Sequence, residues 1–365
     1  MMSRECKDGQ GAQCALPFAI LALRTAALIA SPVNRRRLTG FDSSDGFLFV
    51  APGASLFLTD SRYIEAARGS ITACPVEELK DTASQLRALC KEHRVKRLFV
   101  EIGDTTLAQA ARLRRDLPGV WIETRDSRVD KHLRALRMHK TAFEADCIRR
   151  AQAIAETAFD CLPGLIKPGI TERETALKLD YAMLCAGAEA LSFETIAVAG
   201  ENGSKPHGVP GERALRRGDL LTLDFGAVVN GYHSDMTRTV AIGEPGEEQK
   251  KIYEIVLEAQ QAALARLAPG VPCKDIDAAA RDVIEAAGYG DHFRHGTGHG
   301  VGLEIHEAPV LSGKSKDILA PGMVVTVEPG IYLPGKCGVR IEDMALITEN
   351  GYENLTGTGK ELLVL

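Results

Sequence analysis

Gly218-Asp-Leu-Leu-Thr-Leu-Asp224-Phe-Gly226 is echoed 104 positions later by Gly322-Met-Val-Val-Thr-Val-Glu328-Pro-Gly330, so that Asp224 falls on Glu328. The echo extends outward. Upstream, Pro168-Gly169 to Gly187 has the same length as Pro269-Gly270 to Gly288, offset by 101. Downstream, Asp235 falls near Glu342, offset by 107. One such match could be chance, but an ordered series marks an internal duplication. Each half reads as two helices followed by strands. Thr141 with Glu144, and Thr171 with Glu174, have capping-box spacing and open helices running to about Leu162 and Gly187. Glu247 to Leu267 and Ile276 to Ala287 repeat the pair.

The duplication places acids in matched positions. Side chains alternate along a strand, so Asp224 shares a face with Thr222, and Glu328 with Thr326. Asp235 shares a face with Thr237 and Thr239, and Arg340 with Glu342. If the halves face each other, four carboxylates on four strand segments converge. Buried carboxylates without a counter-charge cost several kcal/mol. Four of them suit two divalent cations bridged by shared oxygens. A single acid of this kind is usually a solvated strand-end residue, but the paired set is not explained that way.

Histidines concentrate in the same region. His292, His295, His299 and His306 occur within fifteen positions, in His295-Gly-Thr-Gly-His299-Gly-Val-Gly-Leu-Glu-Ile-His306-Glu. Glycines at 296, 298, 300 and 302 each cost about 1 kcal/mol in a helix relative to alanine, so an extended, glycine-lined strand is expected. Glycine there also permits a substrate or another backbone to come close.

Before this region the chain alternates short apolar runs with helical patterns. Gly46 to Val50, Ser55 to Leu58 and Leu98 to Ile102 read as strands, Leu79 to His93 and Leu107 to Leu117 as helices. This predicts an α/β domain ending near Arg137, followed by a basic, polar connection over His132 to Lys140. Domains of 1–137 and 138–365 follow, consistent with 365 residues being too many for one comfortable core. The apolar stretch Ala15 to Ala30 is broken by Pro17 and Arg24 and is too short for a membrane span. It reads as a helix leading into a strand at Ala26 to Ala30, with a signal peptide as the alternative. Lys plus Arg is 44 against 49 Asp plus Glu, a net charge of −5 with no nucleic-acid footprint. Nine cysteines with no C-x-x-C argue against a disulfide framework or structural zinc and for a reducing cytosol.

At these residues the chain resembles the pita-bread metallopeptidases, the Xaa-Pro branch containing aminopeptidase P and prolidase. The matching pieces are Asp224-Phe-Gly, Ser234-Asp235-Met-Thr-Arg-Thr239, His295-Gly-Thr-Gly-His299-Gly, Thr326-Val-Glu328-Pro-Gly and Val339-Arg340-Ile-Glu342-Asp343. Leu38-Thr-Gly-Phe41 and Leu58-Thr-Asp-Ser-Arg-Tyr63 look like the family's creatinase-type N-terminal domain. The resemblance implies an α+β fold, a creatinase-like domain followed by a pseudo-symmetric pita-bread catalytic domain. It implies metal ligation by Asp224, Asp235, His299, Glu328 and Glu342, with Asp235 and Glu342 bridging two ions. These would be manganese or cobalt, with zinc also used. A metal-bound hydroxide would attack the carbonyl before proline, with Glu328 moving the proton. His207, His295 and His306 would line the site, and Arg340 would orient the bridging carboxylates or bind substrate.

The implied substrates are proline-containing peptides, handled by a cytoplasmic homodimer without membrane or nucleic-acid partners. One departure bears on their length. Several compact prolidases carry an arginine shortly after the His-Glu pair, where it holds a dipeptide's carboxylate. Here His306-Glu307 is followed by Ala308-Pro309-Val310-Leu311, with Lys314 and Lys316 as the nearby substitutes. That favours an Xaa-Pro aminopeptidase over a prolidase. Methionine aminopeptidase generally lacks the preceding domain. Creatinase-like hydrolases and non-catalytic binding modules of this fold lack ligands that are intact here.

Overall fold

The computed structural model describes residues 18–365, which divide into two compact units between Ala135 and Leu136. Cys6, Cys14 and the start of the apolar stretch at Ala15 lie outside the described residues.

The N-terminal unit is a mixed six-stranded sheet flanked by helices. Its strand order is Val76–Glu78, Ala54–Thr59, Phe47–Ala51, Thr25–Ile29, Arg97–Val100, Trp121–Glu123. Thr25–Ile29 runs parallel to Arg97–Val100, which runs parallel to Trp121–Glu123. The short apolar runs expected as strands lie in 47–51 and 54–59, which pair as an antiparallel hairpin. Their Phe47, Phe49 and Leu58 pack with Leu98 and Ile122 in one core. Residues 18–24 form turns rather than the expected helix. The stretch around His132 is not an irregular connection either, because Arg128–Met138 is helical. Its charge had concealed Val129 and Leu133, four apart and both buried.

The second unit displays the duplication directly. Helices Ala142–Asp160 and Glu172–Cys185 contain 19 and 14 residues, and helices Glu247–Ala265 and Cys273–Ala286 also contain 19 and 14. Thr141 and Thr171 each form the anticipated capping box, with Glu144 and Glu174 respectively. In the first half the helices cover an antiparallel sheet of Ile196–Ala199, Asp219–Phe225 and Met236–Ile242. In the second they cover a five-stranded sheet centred on Val324–Val327 and Asp343–Thr348. Each half has its own apolar core, one around Leu221, Leu223, Phe225 and Met236, the other around Ile252, Val256, Val325 and Val327.

The registers refine the alignment of the acids. Leu223 pairs with Arg238, and Val327 with Asp343. Glu342, the residue before Asp343, is therefore equivalent by ladder position to Thr237, not Asp235. Asp235 lies two residues before Thr237.

Candidate active site

Strand ends, rather than strand interiors, present most of the acids. Asp224 belongs to Asp219–Phe225, but Asp235 immediately precedes Met236–Ile242 and Glu328 immediately follows Val324–Val327. Glu342 sits between Cys337–Arg340 and Asp343–Thr348. Ladder pairing stops at these points, so the side chains turn inward where the two halves abut. The halves are stitched there by hydroxyls. The Thr237 Oγ1 hydroxyl donates to Glu342 Oε2 at 2.7 Å, and the Glu342 amide donates to the Thr237 carbonyl at 3.1 Å. The Thr239 hydroxyl donates to the Arg340 carbonyl at 3.0 Å.

A cavity of about 710 Å³ opens at this seam. All nine residues to which the resemblance gives a metal or catalytic role line it: His207, Asp224, Asp235, His295, His299, His306, Glu328, Arg340 and Glu342. His292 does not; its Nδ1 contacts the Tyr332 carbonyl at 3.1 Å. Lys314 and Lys316 are exposed and are not among the cavity's lining residues.

The glycine-lined segment is strand only over Gly298–Gly300, with a register shift after His299. Its glycines admit neighbouring backbone. A Cβ at Gly298 would stand 2.0 Å from the Thr326 carbonyl oxygen, and one at Gly300 would stand 2.3 Å from that of Ala308. Asp277, on the Cys273–Ala286 helix, secures the loop by accepting the Thr297 amide at 3.1 Å and its hydroxyl at 2.9 Å.

His299 Nε2 lies 3.5 Å from Asp235 Oδ2 and 3.4 Å from Glu328 Oε1. Its Nδ1 faces the Gly300 carbonyl at 3.1 Å, an arrangement in which Nδ1 carries the hydrogen and Nε2 a lone pair. Burial lowers the His299 pKa to about 4, so the ring is neutral at pH 7. A lone pair then faces carboxylate oxygens, which is stable only with a positive charge between them. Ligand atoms of Asp235, His299 and Glu342 lie within 4.8 Å of one another. Asp224 Oδ1 is buried with no hydrogen-bond partner. Burial first, then the neighbouring carboxylates, pushes Asp235 and Glu342 far above the usual carboxylate range. Burial pushes Glu328 to about 8. The donor set of oxygens and one imidazole fits divalent cations, and among the described lining residues Arg340 is the only lysine or arginine.

Arg340 reaches Asp224 Oδ2 with NH2 at 2.6 Å, Thr237 Oγ1 with Nε at 3.0 Å and Tyr332 Oη with NH1 at 2.8 Å. Tyr332 Oη also contacts His295 Nε2 at 3.0 Å. Tyr332 thus joins two site residues, and sequence reading missed it. The available signal was its place in a strand directly following Glu328-Pro-Gly330. Sequence reading also missed the apolar wall of Phe193, Ile196, Val209, Ile305 and Val310, which comes from segments scattered along the chain and carries no motif.

Comparison with known proteins agrees with this geometry. Residues 146–349 match metallopeptidase family M24, and residues 25–139 match the creatinase/prolidase N-terminal domain. An Xaa-Pro dipeptidase of Pyrococcus furiosus is 48% identical over 236 residues, covering 65% of this chain and 68% of that protein. Among solved structures, an Xaa-Pro dipeptidase from Bacillus anthracis superposes with a TM-score of 0.89 at 37% identity, covering 93% of this chain and 95% of that one. An X-Pro aminopeptidase from Thermotoga maritima does so with 0.87 at 35%, covering 93% and 97%.

Proposed function

Because the chain belongs to metallopeptidase family M24, we propose that it hydrolyses the bond between the first residue and proline in short peptides, with Xaa-Pro dipeptides as its main substrates. The observation that carries the reading is the convergence of four carboxylates and a neutral imidazole on one cavity. The substrate assignment rests on the dipeptidases among the relatives. It reverses the order in which the sequence alone ranked aminopeptidase and prolidase.

Asp224, Asp235, His299, Glu328 and Glu342 would hold two divalent cations, manganese being well suited to mostly oxygen donors. Such ions supply Lewis acidity, polarising a carbonyl and acidifying water. Glu328 accepts the proton of the attacking water and passes it to the departing proline nitrogen. His207 and His306 donate to the oxygen that becomes negative in the transition state. Arg340 fixes Asp224, and Tyr332 fixes Arg340 and His295. The proline ring, which lacks an N–H and fixes its chain direction, packs against the apolar wall.

With the lysines outside the cavity, a dipeptide's carboxylate must be met by His207, His306 or Arg340. Aminopeptidase action is the second reading, favoured by Val310: it lines the cavity yet is 47% exposed, leaving an exit for a longer chain. Rates on Ala-Pro, Ala-Pro-Ala and Ala-Ala-Ala with manganese or cobalt decide. A kcat/KM for Ala-Pro at least tenfold above that for Ala-Pro-Ala is expected, a difference of about 1.4 kcal/mol. The reverse order would establish the aminopeptidase, and equal cleavage of Ala-Ala-Ala would remove proline from the proposal. A homodimer is proposed from family resemblance and a cytoplasmic location from the cysteine usage, and a monomeric mass by light scattering would overturn the dimer.

A further inference from the structure

The N-terminal unit holds a second cavity, about 470 Å³, remote in sequence from every residue of the candidate active site. Arg24, Arg87, Lys91, Arg94 and Lys96 line it, with no acid among the lining residues. Among the described residues, Arg24, Lys91, Arg94 and Lys96 enter no ion pair. The nearby acids are engaged elsewhere: Asp116 with Arg112 and Arg115, and Glu123 with Arg97. The surroundings are basic too. Residues 18–135 contain 19 Lys plus Arg against 14 Asp plus Glu, whereas residues 136–365 contain 23 against 33.

The ordinary explanation is helix capping. Helices Thr82–Glu92 and Leu107–Asp116 both end at this cavity, and the Arg87 Nε–H donates to the Asp116 carbonyl at 2.9 Å. Two helix C-termini offer about half a negative charge each, against five cations. Capping therefore leaves a large positive excess. Two of the cations also sit on disfavoured backbone, Arg24 at φ 64° and Arg94 at φ 52°. Left-handed positions favour glycine, and other residues there cost roughly 1 kcal/mol. Backbone bonds hold the two loops together, since the Lys96 amide donates to the Arg24 carbonyl at 2.8 Å and the Trp121 amide to the Lys96 carbonyl at 2.8 Å. The cations thus project from a fixed frame.

We propose that this cavity binds a small polyanion carrying at least two phosphate groups. The volume suits a small molecule. Guanidinium and ammonium groups from separate segments match clustered phosphate oxygens. No aromatic side chain lines the cavity to stack a nucleobase, so the recognised part is the phosphate cluster itself.

The test is calorimetric titration of the full-length protein with sodium pyrophosphate, alongside Arg24→Gly/Arg94→Gly and Lys91→Gln/Lys96→Gln. Glycine takes the left-handed backbone without strain, so the first variant keeps its fold, which its melting temperature checks. The parent should bind at one saturable site and melt higher with ligand. Each double variant should bind at least tenfold more weakly and lose the ligand-induced shift, while cleaving Ala-Pro at the parent's rate. Removal of active-site metal by pyrophosphate would act equally on parent and variants, so the difference between them isolates the cavity. Equal affinity in parent and variants, or no saturable binding by the parent, would overturn the proposal. So would tighter binding of a single-stranded oligonucleotide than of pyrophosphate, because the surface would then be a nucleic-acid one.

Discussion

Glu328 Oε1 receives the Thr326 hydroxyl at 3.3 Å and faces the His299 Nε2 lone pair at 3.4 Å. Glu328→Gln keeps shape and one ligand oxygen but removes the proton acceptor. Turnover should fall by about 10²–10⁴, the usual contribution of a general base. Turnover within a few-fold of the parent at unchanged metal content would remove Glu328 from that role. Metal content itself tests the bridging assignment. Asp235→Ala and Glu342→Ala should each disturb both ions, whereas Asp224→Ala should chiefly affect one, as read by elemental analysis of purified protein. Loss of the same single ion in all three variants would refute it. These residues were legible because chemistry forced them into a repeated pattern. Tyr332 was not. Its phenol matters only through Arg340 and His295, and no spacing rule marks a residue whose partners are brought near by folding.

Elements, unlike residues, were legible wherever a local rule governed them. The capping boxes at Thr141 and Thr171 are satisfied by their own side chains within one turn, so four residues of sequence suffice to place each helix start. Helix Arg128–Met138 failed the same kind of reading because six polar residues, Arg128, Asp130, Lys131, His132, Arg134 and Arg137, interrupt its apolar ones, and burial of Val129 and Leu133 is a tertiary fact. Strand ends at Asp235 and Glu328 were likewise set by where the ladders stop, which alternation of side chains does not encode. The loop before His299 depends on one helix residue. Asp277→Ala should leave the buried Thr297 amide and hydroxyl unpaired, at about 1–3 kcal/mol for a buried polar group. A lower melting temperature and a slower turnover are expected together, since Thr297 lies two residues from His299. A fall in stability with unchanged turnover would show that the loop keeps its place without this anchor.

On the scale of the whole molecule, charge divides the chain: the basic N-terminal unit faces acid differently from the acidic remainder. Protonating carboxylates raises positive charge everywhere, but the basic unit begins with an excess and repels itself sooner. One of its acids resists. The Arg97 guanidinium first, then the Arg125 amide at 2.8 Å, holds the Glu123 pKa down to about 2. The Asp126 amide at 3.1 Å and the Trp121 indole N–H at 3.3 Å also donate to it. A carboxylate whose pKa is depressed on folding stabilises the fold fully above its ordinary value near 4.5. That contribution shrinks as pH falls below 4.5 and is gone once pH passes through about 2. Arg97 is 41% exposed, so solvent screens part of the interaction and the effect is modest. Trp121 is the only tryptophan in the chain and touches Glu123 directly, so its fluorescence reports this unit's unfolding without labels. Urea midpoints followed at Trp121 should fall between pH 4.5 and 2 in the parent, and less steeply in Glu123→Gln, which has no charge there to lose. The variant should already be weaker than the parent at pH 7. Parallel pH profiles for the two proteins would mean that Glu123 does not carry the acid sensitivity of this unit, and that general charge repulsion does.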